Sequence, residues 1–447
     1  MQSPELLDAA LALIDHARRC GADAADATGH VSSAHGVSVR LGVLEDIDRS
    51  ESAQVGLRAF VDQRSASVST SDLSPAGLRE LAERVVAMAR HAPEDPFAAL
   101  APAAALARGP FPDLDIADPT ELTAEQLRDR ACEAEDAARA VAGVRNSEGG
   151  SAVLGRGGSV LVTSTGFAAA YEGASHSLSA SVIAGEGDGM QRDYASRSAR
   201  YLADLPDPAE VGRLAGERAV ARLAPATPAS GPMPVVFDPR VSPSLVGHLL
   251  GAMAAPAIAR RASFLVGRED EALFAPSLRI VEDPLRPRGM HSRPFDGEGV
   301  ACAPRTLVEG GKVTGWLTNT ASAAQLGLPL TGHASRGAGG TPGVSPSNVD
   351  LLPGDATVEE LIADIREGVL VDYLIGQGVN PVTGDYSRGA AGRRIVGGKI
   401  EGPVAGFTIA GNLLDMFAAM RAANDFETWR TFNAPTLRVE GMTVATG

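Results

Sequence analysis

Apolar residues Leu6, Ala9, Ala10, Leu13, Ile14 and Ala17 recur at helical spacing at the start of the chain, and Gly21 closes the helix they predict. Alternation over 37–44 and 54–61 predicts two strands, with the acidic run LEDIDRSES as the turn between them. A helix opening at Ser74-Pro75 presents Leu78, Leu81, Val85, Val86 and Met88 on one face. Residues 100–119 are too rich in alanine and proline for regular structure and predict a surface crossing. Thr123 and Gln126 form a capping box for a helix reaching Val141, whose Glu and Arg residues are expected on a solvated face.

Strand patterns then take over, at 159–164, 167–183 and 191–200, with GEGDG as a hairpin turn. The middle run is dominated by Ser, Ala and Gly, so its cross-strand packing is thin and a cover is expected. Asp207-Pro208 opens one more helix, and APATPASGPMP (224–234) is a linker. Beyond it the pattern gives a strand at 235–237, one apolar helix through 241–259, and strands at 278–282 and 306–317 around Gly310-Gly311. Residues 332–353 read as a long loop with little to pack, Thr357 and Glu360 as a second capping box, and 394–400 and 404–410 as a final alternating pair.

At 447 residues the chain exceeds one ordinary core. The pattern divides it into an N-terminal α/β unit (1–120), a central β-rich unit (121–224) and a β-rich C-terminal domain (235–447). A hydrophobic content of 44% with 21% charged residues is that of a globular protein, and the formal net charge of -15 disfavours nucleic acid and anionic membranes as partners. Cys20, Cys132 and Cys302 lie far apart with no CxxC spacing, which suggests neither a zinc ribbon nor a disulfide framework. Glu5, Asp8 and Asp15 interrupt the first apolar pattern, against a secretory signal, and Pro243, Gly247, His248, Gly251 and Pro256 interrupt the least polar window, against a membrane span. Both point to the cytoplasm.

Candidate chemistry concentrates in 372–416, where glycines punctuate Asn380, Thr383, Asp385, Tyr386, Ser387 and Arg388. Glycines permit positive φ and close approach of a second chain, and the polar residues supply donors and acceptors. Such a segment can grip an extended peptide, or it can be a tight turn joining strands. Arg388 beside Asp385 fits a structural ion pair or a contact to a substrate carboxylate. His248 is a lone histidine on an apolar helix, and the other histidines show no metal-binding spacing. The glycines of 337–343 lack the Lys-Ser/Thr of a phosphate loop, and no Gly-x-Ser-x-Gly elbow occurs.

The run GVNPVTGDYSRGAAG, the hairpin after it and IAGNLLDMF resemble the C-terminal signature of the TldD/PmbA family of cytoplasmic metalloproteases, in particular its PmbA (TldE) branch. VGLRAFVDQRSASVSTSDLS is similar to the family's N-terminal signature. In the catalytic branch a helix carries His-Glu-x-x-x-His after two apolar residues, and a cysteine near the C-terminus belongs to the same metal. Matching the apolar pair to Leu249 and Leu250 sets Gly251, Ala252 and Pro256 at the three motif positions, and DFETWRTFNAPTLRVEGMTV has no Cys or His. The resemblance therefore implies an α+β fold with mixed and antiparallel sheets and a subunit that holds peptide without a metal or catalytic residue of its own. It further implies a TldD-like partner subunit carrying zinc, a possible homodimer, and substrate contacts from Asn380, Thr383, Asp385, Tyr386, Ser387 and Arg388. The alternatives are a stand-alone, self-associating peptide-binding protein and an independent hydrolase with an unrecognised site.

Overall fold

The computed structural model describes residues 3–446. α1 (Ser3–Arg19), β1 (Ala24–Arg40), β2 (Val43–Val61), β3 (Arg64–Thr70) and α2 (Pro75–His91) precede an irregular crossing. α3 (Ala124–Arg139), β4 (Val144–Thr163), β5 (Ala168–Ala184), β6 (Gln191–Ala199) and α4 (Pro208–Ala221) follow it. These strands form one antiparallel sheet in the order β3-β2-β1-β4-β5-β6, so the first and second segments share a sheet through the long β1–β4 pairing. A strand of 17 residues is about 55 Å long. That length leaves room for two helix pairs. α1 and α2 bury Leu6, Leu13, Leu81 and Val85 against Ala25, Ala27 and Leu57 at one end, and α3 and α4 bury Leu127, Ala134 and Val211 against Val37, Val39 and Leu178 at the other. The cover expected over the Ser/Ala/Gly-rich β5 is thus supplied in part by the chain's own α3 and α4.

Two expectations fail here. The run LEDIDRSES is not a turn but the exposed first half of β2. The turn is Leu41-Gly42, both at positive φ (52° and 75°), which suits the twist of a tight hairpin. Its two backbone N–H groups donate to Glu135, at 2.7 and 2.9 Å. Glu135 is fully buried (0% exposed), so the acidic residues of α3 are not all on a solvated face.

The C-terminal unit runs β7 (Gly231–Phe237), α5 (Pro243–Ala252), α6 (Ala255–Ala259), β8 (Ile280–Glu282), β9 (Arg305–Glu309), β10 (Lys312–Val313), α7 (Thr320–Leu326), β11 (Ala334–Ser335), β12 (Gly343–Val344) and β13 (Val349–Leu351). It continues with α8 (Val358–Ile362), β14 (Glu367–Ile375), β15 (Asp385–Val396), β16 (Lys399–Asn412), α9 (Leu413–Ala418), β17 (Met420–Ala422), β18 (Phe432–Asn433) and β19 (Leu437–Thr446). Strand order β16-β15-β14-β7-β19-β17, with an added β16–β19 pairing, closes β7, β14, β15, β16 and β19 into a barrel. β7 and β14 are parallel and their other neighbours antiparallel, so the whole is an α+β fold with mixed sheets. Val235, Phe237, Val371, Ile409 and Val439 fill a core shared with Leu245 and Leu249 of α5.

The apolar stretch 241–259 is two helices, not one. Pro256 lacks the N–H that would donate to the Ala252 carbonyl; Ser263 Oγ donates to that carbonyl instead, at 2.7 Å. The break is held by exchange with Leu317, whose carbonyl accepts from Ala255 N (2.8 Å) and whose N–H reaches Met253 O (3.0 Å). Residues 332–353 are also better packed than their composition predicts. Ser347, Asn348 and Val349 are wholly buried, and His333 Nε2 lies 2.6 Å from a Glu282 carboxylate oxygen.

Candidate functional site: a cleft over a broken helix

The turn before β15 is internally satisfied. Asn380 Oδ1 accepts from Val382 N at 2.9 Å, Thr383 Oγ1 donates to Asp385 at 2.6 Å, and Asn412 Nδ2 donates to Thr383 O and to Asp385 at 2.9 and 3.2 Å. These bonds hold Asp385's carboxyl below the usual range, Thr383 first and Asn412 second. Asn380, Thr383, Asp385 and Ser387 remain exposed. Tyr386 does not join them: it is 1% exposed and points into the barrel core, because successive residues of a strand face opposite ways. The same alternation separates Asp385 from Arg388, three positions on. Among the described residues Arg388 makes no ion pair, with Asp385 or otherwise.

Tyr386 and Arg388 share a face and back α5. The His248 ring meets Tyr386 edge-on, with centroids 6.1 Å apart. His248 Nε2, Tyr386 Oη and Arg388 Nε are buried atoms without a hydrogen-bond partner. Burial, with the Arg388 guanidinium second, draws the His248 pKa below its usual value; burial pushes the Tyr386 hydroxyl up to about 12. His248 is therefore a neutral ring on the face of α5 that packs against Tyr386.

On its outer side the α5–α6 break faces a cleft of ≈ 630 Å³. Gly251, Pro256 and Ala257 form one wall, Arg58 and Phe60 of β2 the opposite one, and Asn319 and Gln325 of α7 a third. Asn319 caps α7 and its Nδ2 donates to Pro342 O at 2.6 Å, which pins the 341–344 rim. A Cβ on Gly251 would meet nothing within 4 Å, so this wall is open space.

The cleft sits where the N-terminal sheet meets the C-terminal unit, and a buried ion cluster joins the two. Asp26 of β1 accepts from Arg58 Nε at 3.1 and 3.2 Å and from Arg336 Nη1 at 2.6 Å, while Arg58 Nη2 reaches Glu298 at 3.3 Å. Burial opposes ionisation of Asp26, but the two guanidiniums prevail and hold its carboxyl below the usual range. None of these four was singled out from the sequence. The available signal was Arg58 alone among the apolar residues of VGLRAFV, a run buried on both faces.

Family models cover most of the chain: the PmbA/TldA metallopeptidase domain 1 matches residues 25–89, the central domain 117–223 and the C-terminal domain 230–446. The chain belongs to the PmbA/TldD family. It is similar to the metalloprotease PmbA of Escherichia coli O157:H7, with 35% identity over 419 residues covering 93% of this chain and 91% of the relative. A crystal structure of a putative modulator of DNA gyrase from Bacteroides thetaiotaomicron superposes with a TM-score of 0.90 at 26% identity, over 98% of both chains. TldE from Thermococcus kodakarensis shares the fold, with a TM-score of 0.83 at 21% identity over 98% of this chain and 100% of that one.

The family name implies a metal, and the residues here do not fit one. At the α5–α6 break Gly251 and Ala252 carry a hydrogen and a methyl group and Pro256 a pyrrolidine ring, none of which can ligate. The helix break also removes the continuous turn that would bring the first and last positions together. Among the described residues no group of three or more His, Cys, Asp or Glu side chains is placed to hold a metal ion. Nor is any helix of the described residues long and apolar enough to cross a membrane.

Proposed function

We propose that this PmbA/TldD-family chain is the non-metal, substrate-holding subunit of a two-subunit cytoplasmic peptidase that processes unfolded or extended peptides. A TldD-type partner supplies the zinc and the hydrolytic step. The observation that carries this reading is the cleft itself: its walls are held by the capped α7, the pinned rim and the buried ion cluster, while the α5–α6 wall offers only groups that cannot ligate or take a proton. A peptide in the cleft lies against the apolar surface of Phe60, Pro256 and Ala257, with Arg260 and Gln325 available for its backbone carbonyls. The turn before β15 then serves as a rigid brace, with Asn380, Thr383 and Asp385 already engaged within it and by Asn412.

The test is peptidase activity and metal content of the purified chain, alone and co-purified with a TldD-type subunit. Cleavage of an unfolded peptide only in the mixed preparation is the expected result. Stoichiometric zinc in this chain alone, with chelator-sensitive cleavage, would overturn the proposal.

A further inference from the structure

A second cavity, of ≈ 180 Å³, lies between β1 and β4 on one side and the 293–297 and 334–336 segments on the other. Its lining includes His30, Tyr171, Arg293, Asp296 and Arg336. The Arg336 side chain is 1% exposed. Its Nη1 donates to Asp26, but Nε and Nη2, one edge of the guanidinium fork, are buried without a partner. Arg293 is half so: Nη2 donates to Ser345 O at 2.6 Å and Nε has no partner. A guanidinium edge left empty inside a protein is costly, because each buried N–H without an acceptor forfeits its hydration. One such edge and one further unpartnered N–H lining the same cavity describe the complement of an oxyanion.

The surroundings agree in sign. This cavity shares His30, Ser159 and Tyr171 with an adjoining groove of ≈ 490 Å³ floored by Gly155, Gly157 and Gly158. Arg200 crosses the groove, packed so closely over Gly173 that a Cβ there would sit 2.9 Å from Nη1. Its guanidinium donates to the carbonyls of Ala174, Gly289 and Met290, and Arg156, also in the groove, donates to those of Pro119 and Thr120. Among the described residues neither has a carboxylate partner. The carboxylate that lines the small cavity, Asp296, is already engaged: Oδ1 accepts from Glu298 N and Val300 N and Oδ2 from Ala334 N, each at 2.9 Å. On a chain of net charge -15 this is a local excess of cations with unused donors.

We infer that this cavity is a carboxylate-binding site, in which the Nε–Nη2 edge of Arg336 grips the anion bidentately and Arg293 Nε supplies a third donor. The planar fork suits a carboxylate better than a tetrahedral anion. Two sources fit the chemistry: the C-terminal carboxylate of a peptide lying along the glycine-floored groove, and a small free acid. The first rests on the peptide-holding role proposed above; the second does not.

Binding to the isolated chain separates them. The probes are a dansylated alanine-rich heptapeptide with a free C-terminus, the same peptide as its C-terminal amide, benzoate as a small acid, and inorganic phosphate. The expected result is a free-acid peptide bound about tenfold or more tighter than its amide and displaced by benzoate. That preference collapses to about one in Arg336→Lys, which keeps a cation beside Asp26 but lacks the fork, and in Arg293→Gln. Benzoate binding without peptide binding assigns the site to free acids. Equal affinity for acid and amide, displacement by phosphate but not benzoate, or an undiminished preference in both folded variants overturns the assignment. Because the readout needs no partner subunit, it stands or falls separately from partner-dependent cleavage.

Discussion

Neutralising Asp26 tests the junction between the N-terminal sheet and the C-terminal unit. In Asp26→Asn the side chain keeps its shape and one carbonyl oxygen, but an amide N–H group now faces guanidinium donors. Arg58 and Arg336 are left with Glu298 as the nearest anion, and it reaches only Arg58, at 3.3 Å. The side chains involved are nearly inaccessible, 1% for Asp26 and 7% for Arg58, so water cannot replace the lost charge. Removing one member of such a buried cluster costs about 3–5 kcal/mol, a large share of a total near 5–15 kcal/mol. Denaturant unfolding followed by circular dichroism, with limited proteolysis to report on the 336–344 segment, reads the change.

The pH dependence adds a signed check. Asp26's pKa is lowered in the folded chain, so its contribution is present above the ordinary value of 3.8 and is lost as pH falls through the lower folded value. The gap between wild type and Asp26→Asn is therefore full at neutral pH and closes on acidification below about 4. A variant within about 0.5 kcal/mol of wild type at neutral pH, or a gap that does not narrow at all as pH falls below about 4, would refute an ionic junction.

Tyr386→Phe removes a buried hydroxyl that has no partner and is expected to raise stability by about 1 kcal/mol while leaving peptide capture unchanged; a drop in capture would return Tyr386 to the binding surface. Gly56→Ala puts a Cβ 1.5 Å from the Ala338 carbonyl oxygen, so β2 and the 336–340 segment must separate, at a cost of about 1–3 kcal/mol and with new protease sensitivity near Ala338; unaltered thermal and proteolytic stability would contradict that contact. Burial raises the Asp296 pKa to about 6, so this group's contribution to stability falls by about 3 kcal/mol as pH rises from about 4 to about 6. A carboxyl resonance titrating near 4 in the folded chain would dispose of it.

Local elements were legible wherever one short-range rule governs. The capping boxes at Thr123 and Thr357, the proline starts at Ser74-Pro75 and Asp207-Pro208, and the Gly310-Gly311 turn all form as the residues dictate. Boundaries failed where tertiary contacts overrode composition. LEDIDRSES reads as a turn by its acids, yet it pairs with β1 along its length, with Glu45 bulged out of register. The 332–353 segment reads as unpacked by its glycines, yet Gly56 of β2 lets its backbone approach at Ala338, and its own Gly339 packs against Ser69 of β3.

Of the candidate site, what Gly251, Ala252 and Pro256 offer is a matter of side-chain chemistry, legible in sequence: a hydrogen, a methyl group and a pyrrolidine ring do not ligate. The α+β class and the PmbA/TldD membership belong with them, since periodicity and signature runs are local properties. What only the folded chain decides is which distant groups meet. The Asp26–Arg58–Arg336–Glu298 cluster draws on positions as far as 310 residues apart, and the exposure of Asp385 beside the burial of Tyr386 depends on which face of β15 turns to the barrel. Such pairings are fixed by sheet register and barrel closure, which sum many weak contacts across the whole molecule and leave no mark in any short window of residues.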